Sequence, residues 1–337
     1  MKKQFIRMLL FPLCLILTGT FCACGSAKEP SESKKSASSE DSLSYESTVS
    51  ENSSVDVSTS EESSTASPTI IIQQQKPTTS TSSDQSSNQP YVPSFVGGST
   101  PIDTTNIDSF AYCNANICNQ PFRGIVIDFH GLGETGMKFT PPALGQLCAE
   151  KGIIYIMPYD NPWSWMNDLA VRYVDEIVDA VIKKYSLSDN IPIVSCGGSM
   201  GGLSALIYTR YAKRTPVACA VNCAVCDLPY HYDERADLPH TIYSAFMHYP
   251  CDLQAAIESA SPLHQVSNMP KIPYYVVAGG ADTAVNKVNH SDKFVTAMKE
   301  KQYDVTYIEV PNMGHCELSE DNLNDYFGFI TSSKWFG

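Results

Sequence analysis

From about residue 106 onward, short unbroken apolar runs alternate with longer stretches whose apolar residues recur at intervals of three and four. Runs of the first kind occupy residues 124–129, 152–157, 192–195, 217–223, 272–278 and 305–310, and 107–112 has the look of an edge strand. Runs rich in Val and Ile, too short for helices, read as strands buried on both faces. The stretch 168–185 carries Val171, Val174, Ile177, Val178, Val181, Ile182 and Tyr185 on one side of a helix. Shorter helices are predicted over 143–151, 199–213, 291–301 and 319–330. The alternation breaks between residues 227 and 260, where an insertion rich in Tyr, His and Phe separates two strands.

Strands that alternate with helices imply a parallel sheet covered on both faces. Ligands bind such sheets outside the carboxyl ends of the strands. The residues that leave each strand are therefore the place to look for chemistry. Five such exits stand out: His130-Gly-Leu-Gly-Glu134, Pro158-Tyr-Asp-Asn-Pro-Trp-Ser-Trp165, Cys196-Gly-Gly-Ser-Met-Gly-Gly202, Gly279-Gly-Ala-Asp282 and Pro311-Asn-Met-Gly-His315.

The third is G-x-S-x-G between a strand and a helix, a nucleophile elbow. The turn forces Ser199 into strained backbone angles, and the flanking glycines remove the side chains that would clash. A serine hydroxyl needs a base, and the base needs a carboxylate to orient it. Of the seven histidines, only His130 and His315 closely follow a strand. His315 is assigned as base; His130 suits a structural role in the glycine loop it opens. Asp282 is assigned as the acid, fixed by the glycine turn before it, with Asp227 as the competitor. The backbone N–H groups of Met200 and Leu132 are the expected oxyanion hole.

With these residues in order, the chain resembles an α/β-hydrolase, specifically the single-domain esterases related to the prolyl-oligopeptidase catalytic domain. His130-Gly-Leu-Gly133, Gly197-Gly-Ser-Met-Gly201, Ser261-Pro262, Asp282 with Val285, and His315 carry the resemblance, which covers roughly residues 106–335. It implies a mostly parallel sheet of eight strands with one antiparallel edge, a Ser199–Asp282–His315 triad, and a small cap formed by residues 227–260. One departure is Ala278-Gly-Gly-Ala-Asp282, where many relatives carry His-Gly. Trp163, Trp165 and Tyr230 are the expected substrate-facing aromatics, since flat rings suit sugars or phenolic acids. Cleavage of carboxylic esters is the first functional expectation. A prolyl-oligopeptidase-like peptidase is the second; such enzymes carry a large gating domain, whereas a low-complexity segment precedes the catalytic part here. A surface binding protein on an inactive hydrolase scaffold is the third. None of the three calls for a metal or organic cofactor.

The first 105 residues read differently. Met1-Lys-Lys-Gln-Phe-Ile-Arg7 is a basic start, followed by a short apolar run too brief to span a bilayer. The run ends in Phe21-Cys-Ala-Cys-Gly25, which resembles a bacterial lipoprotein cleavage site, so residues 1–24 are expected to be a signal, with Cys24 the lipidated residue and Cys22 the alternative. Residues 25–95 are Ser/Thr-rich, and between residues 28 and 84 ten acidic residues face four lysines. Such a segment buries too little apolar surface to offset its ordering entropy. It reads as a tether of about 70 residues with a reach of roughly 45–50 Å, and residues 96–337 as the catalytic domain held outside the cell on a lipid anchor.

The chain's net charge of −13 argues against nucleic acid as a partner. Nine of its twelve cysteines fall after residue 100, an odd number that excludes a complete disulfide framework. Cys196, Cys219 and Cys223 are expected to be small buried hydrophobes. The Cys223-x-x-Cys226 spacing lacks a second ligand pair, and a Cys113–Cys118 pairing stays open.

Overall fold

The computed structural model describes residues 101–138 and 140–337. The expected signal, Cys24 and the tether lie outside the described residues. Seven strands form one sheet among the described residues: β1 (Ala111–Cys113), β2 (Gly124–Phe129), β3 (Ile153–Pro158), β4 (Ile193–Gly198), β5 (Ala218–Asn222), β6 (Tyr274–Gly279) and β7 (Val305–Val310). Their spatial order is β1-β3-β2-β4-β5-β6-β7. Only β1 runs antiparallel, pairing Ala111 with Pro158. The sheet thus has seven strands where eight were expected. The segment 107–112 also differs: Ile107–Ser109 is a 3-10 turn, and the strand proper starts at Ala111.

The central strands are apolar for the reason the sequence suggests. In β2, β3, β4 and β5 almost every side chain is buried, because helices cover both faces. One face carries α2 (Asp168–Lys184), whose Val174, Ile177, Val178 and Val181 are buried. Asn167 caps α2 by accepting from the Ala170 amide at 2.9 Å, which satisfies one of its free N–H groups. The same side chain donates to Ala245 O at 2.8 Å and ties α2 to the insertion. On the other face, α1 (Ala143–Glu150) and α7 (Glu320–Ile330) cover a second apolar cluster around Val126, Tyr155, Val194 and Tyr326. The helix α3 (Met200–Tyr211) follows β4 and is buried along most of its length.

The insertion is helical: α4 (Leu228–Glu234), α5 (Leu238–Phe246) and α6 (Leu253–Ser259). It packs against the chain that leads into α2, where the Asp168 amide donates to Tyr249 Oη at 2.8 Å. Trp165 lies beneath it, fully buried, its ring edge-on to His231 and its Nε1 donating to Thr241 Oγ1 at 3.2 Å.

Candidate active site

The elbow forms as its sequence dictates. Ser199 sits at the N-terminus of α3 with φ 58 and ψ −126, a conformation costly for any residue with a side chain. Its amide donates to Asn222 O at 2.9 Å, which locks the turn against β5. Glycine is required on both flanks. A Cβ on Gly197 would lie 3.0 Å from Phe129 O, and one on Gly201 would lie 2.8 Å from His130 O and closer still to Phe129 O. Tight packing of the elbow against β2 therefore brings the start of α3 beside the glycine loop.

Ser199 and His315 line one cavity of about 420 Å³, together with Gly131, Leu132, Arg235 and Cys316. His315 Nδ1 bonds to Asp282 Oδ2 at 2.8 Å. The other Asp282 oxygen accepts from the amides of Ala284 and Val285 at 2.8 and 3.0 Å, which fixes the carboxylate. Burial pushes the Asp282 pKa up, but the His315 bond and these amides win and hold it below the usual value. The Asp282 bond, then the Cys223 thiol, raise His315 to about 9 against the opposing effect of burial. The His315 Nε2 side faces sulfur, with Cys316 Sγ at 3.9 Å. No hydrogen bond joins Ser199 Oγ to His315 among the described residues.

Met200 occupies the first position of α3, where an N–H has no partner within the helix. Leu132 lies on the facing loop, in the same cavity. That loop is braced by His130, which is buried and paired with Asp160 at 2.9 Å. Burial lowers the His130 pKa and the Asp160 carboxylate more than reverses this. Asp227, the competing acid, caps α4 by accepting from the Tyr230 amide at 3.1 Å.

The three expected aromatics separate. Trp165 is a correction: with no exposed surface it anchors the insertion and faces no substrate, because the indole is large enough to fill the space under α5. Trp163 is half exposed and lines a neighbouring cavity of about 550 Å³ that does not include Ser199. Tyr230 is partly exposed, packed edge-on against His290 with Lys293 Nζ 5.5 Å from its ring centre.

Four groups at this edge escape the sequence reading. Arg235 enters the Ser199 cavity and pairs with Asp237 through two bonds of 3.1 and 2.7 Å. Cys316 and Cys223 flank His315, with the Cys316 amide 3.3 Å from Cys223 Sγ. Cys223 is therefore more than a core hydrophobe; hydrogen bonding from Cys316 lowers its pKa to about 6 despite burial. Behind Arg235, Glu234 Oε2 receives His231 Nδ1 at 2.6 Å and His290 Nε2 at 3.0 Å. For Cys223 and Cys316 the chain order carried no signal of their meeting, because they lie 93 positions apart. For the Glu234 group it was likewise absent, because His290 lies 56 positions from Glu234. Cys113 and Cys118 are both free, as are the other seven cysteines of the described residues.

Against known proteins, residues 167–332 match the model of the prolyl oligopeptidase family. Dipeptidyl peptidase family member 6 of Caenorhabditis elegans is 24% identical over 230 residues, covering 66% of this chain and 28% of its own length. The chain thus spans less than a third of that relative. Among solved structures, puromycin hydrolase superposes with a TM-score of 0.52 at 13% identity, covering 62% of this chain and 34% of its own. Esterase B from Lactobacillus Rhamnosis gives 0.51 at 11% identity, covering 64% and 79%. The S-formylglutathione hydrolase from Agrobacterium tumefaciens gives 0.50 at 16% identity, covering 64% and 85%.

Proposed function

We propose that this chain, an α/β-hydrolase whose residues 167–332 match the prolyl oligopeptidase family and a serine hydrolase by kind, cleaves carboxylic esters through an acyl-enzyme on Ser199. The observation that carries the reading is the shared cavity: Ser199, His315 and the Gly131–Leu132 loop meet there, with His315 held from behind by Asp282 at 2.8 Å. In the first half-reaction Ser199 Oγ attacks the acyl carbon while His315 Nε2 takes its proton. The amides of Met200 and Leu132 receive the oxyanion. His315 then gives the proton to the departing alcohol. Water repeats the sequence in the second half-reaction and releases the acid. Productive attack requires His315 Nε2, which lies beside Cys316 Sγ at 3.9 Å here, to come within reach of Ser199 Oγ. Apo geometry of catalytic bonds is often loose in this way.

Esters are favoured over peptides because esterase B and the S-formylglutathione hydrolase are matched over 79% and 85% of their length, puromycin hydrolase over 34%. Peptide cleavage is the second reading, supported by the family match itself. Trp163, half exposed beside the neighbouring cavity, is the best remaining aromatic platform for a sugar or feruloyl group. Tyr230 is a weaker second. We place the enzyme outside the cell, on a lipid attached at Cys24; no helix of the described residues is long and apolar enough to cross a membrane.

The deciding experiment is a substrate panel with the purified chain: short p-nitrophenyl esters, acetylated xylan, feruloyl esters and proline-containing peptides, beside fluorophosphonate labelling. Ester turnover with labelling that disappears in Ser199→Ala supports the reading. Turnover of peptides alone moves it to the second. No turnover and no labelling leaves an inactive scaffold and overturns both.

A further inference from the structure

Three strained residues meet beside the catalytic base. Ser199, Cys223 and Cys316 have φ of 58, 47 and 60, the left-handed region that favours glycine. Strain held at non-glycine residues marks places where the surrounding fold fixes an unusual arrangement. Here the arrangement is two thiols and an imidazole: Cys223 Sγ, Cys316 Sγ and a ring nitrogen of His315 all lie within 4.8 Å of one another. We infer that these three side chains form a binding site for a thiophilic divalent metal ion of the zinc class, and that the bound ion withholds the base from Ser199.

The chemistry of the set fits. Two sulfurs and one imidazole, with a fourth position left open, is a ligand set zinc accepts. Zinc–sulfur bonds of about 2.3 Å and zinc–nitrogen bonds of about 2.0–2.1 Å set tetrahedral donors about 3.5–3.8 Å apart. The distance from Cys316 Sγ to His315 Nε2 is 3.9 Å, so little movement is needed. His315 Nδ1 is engaged by Asp282, which leaves Nε2 as the ligand atom and supplies the carboxylate partner that metal-bound histidines ordinarily have. Neither sulfur is committed to a disulfide. A further pointer is Asn222, the residue before Cys223, whose buried Oδ1 has no hydrogen-bond partner and which lines a cavity with Cys316. Two thiols that merely filled apolar space would explain neither the convergence on an imidazole nitrogen nor the strain.

The consequence for activity follows from one atom. His315 Nε2 cannot bind a metal and accept the Ser199 proton at once. Metal occupancy and ester turnover exclude each other, and inhibition is reversed by removing the ion. This second part rests on His315 being the base; the binding itself does not.

The test uses the full chain, reduced and freed of metal, titrated with Co²⁺ as a spectroscopic stand-in and with Zn²⁺ in parallel turnover assays. The expected results are a thiolate-to-cobalt charge-transfer band with tetrahedral visible bands, displaced by Zn²⁺, and loss of p-nitrophenyl ester turnover that a chelator restores. Cys223→Ala and Cys316→Ala should each weaken Co²⁺ binding at least about tenfold and dim the band, as loss of even an outer-shell partner commonly does. Cys251→Ala, at an exposed position away from the set, should leave the spectrum intact. Ser199→Ala should bind cobalt like the wild type, and this separates metal binding from hydrolysis. A missing thiolate–cobalt band in the wild type, or a band that survives loss of both Cys223 and Cys316, overturns the inference. A band without ester turnover in the wild type would sustain the site and sink the esterase reading instead.

Discussion

Replacing Glu234 by Gln should destabilise the enzyme by about 3 kcal/mol at neutral pH, and the loss should shrink in acid. The carboxylate is the centre of a clasp between α4 and the π-helical turn Val288–Asp292. Its Oε2 receives His231 and His290 at 2.6 and 3.0 Å, and its Oε1 receives the Asn286 amide at 3.0 Å. His290 Nδ1 accepts from the amides of Cys226 and Asp227, both at 3.1 Å. The His290 proton therefore sits on Nε2 and has only Glu234 to receive it. Burial raises the Glu234 pKa, but the bonds from His231 and His290 outweigh it and bring the pKa from 4.5 down to about 2. A group held ionised in the folded state stabilises it fully above the unfolded pKa and loses that contribution as pH falls toward the folded one. The shift corresponds to about 3 kcal/mol at pH 7, falling to roughly 1 kcal/mol at pH 3. Gln keeps one acceptor oxygen, and its N–H₂ must face at least one of the three N–H donors. For a domain of this size the loss amounts to roughly 6–12 °C in Tm. Urea unfolding followed by tryptophan fluorescence is a suitable assay, since Trp165 lies edge-on to His231 with ring centres 5.7 Å apart. Wild type and variant differing by less than about 0.5 kcal/mol at pH 7, or by the same amount at pH 7 and pH 3, would refute the reasoning. Because Arg235 follows Glu234 into the Ser199 cavity, the variant should also raise KM more than it lowers kcat.

Asp282→Asn should leave the fold intact and lower kcat by about 10⁴, because the amide favours the wrong imidazole tautomer; a loss below tenfold in ester turnover would count against Asp282 as the orienting group. In metal-free buffer the acid limb of kcat/KM should have its midpoint near 9, the value to which Asp282 and Cys223 raise His315. At pH 7 only about 1% of the enzyme then carries the neutral base, and rates should climb about tenfold per pH unit between 7 and 8. A midpoint at or below 6.5 would contradict this, and Cys223→Ala should move the midpoint down. Gly201→Ala should abolish fluorophosphonate labelling, since its new methyl group would overlap Phe129 O and His130 O and push the glycine loop away; labelling at the wild-type rate would show that the elbow tolerates the side chain.

Much of this protein is local information. An unbroken run such as 153–156 cannot leave its side chains in water, so it must be a covered strand, and covered strands joined by helices must be parallel. Glycines around Ser199 are legible for the same reason, because a turn that tight admits no other residue. Strand ends then supply Asp282 and His315 without any knowledge of distance. What the chain order cannot supply is which side of an aromatic residue is dry. Trp163 and Trp165 are two positions apart, yet one is half exposed and the other has no exposed surface. The difference comes from the helices at 228–259, whose placement depends on contacts such as Trp165 with Thr241. The same holds for the groups around the base. Cys223 reads as one more apolar residue at the end of a strand, and only the return of the chain at 315–316, 93 positions later, gives it an imidazole and a second sulfur. Sequence periodicity fixes what must be hidden from water; which polar groups share the hidden space is decided by packing, because that is where residues remote along the chain first come within bonding distance.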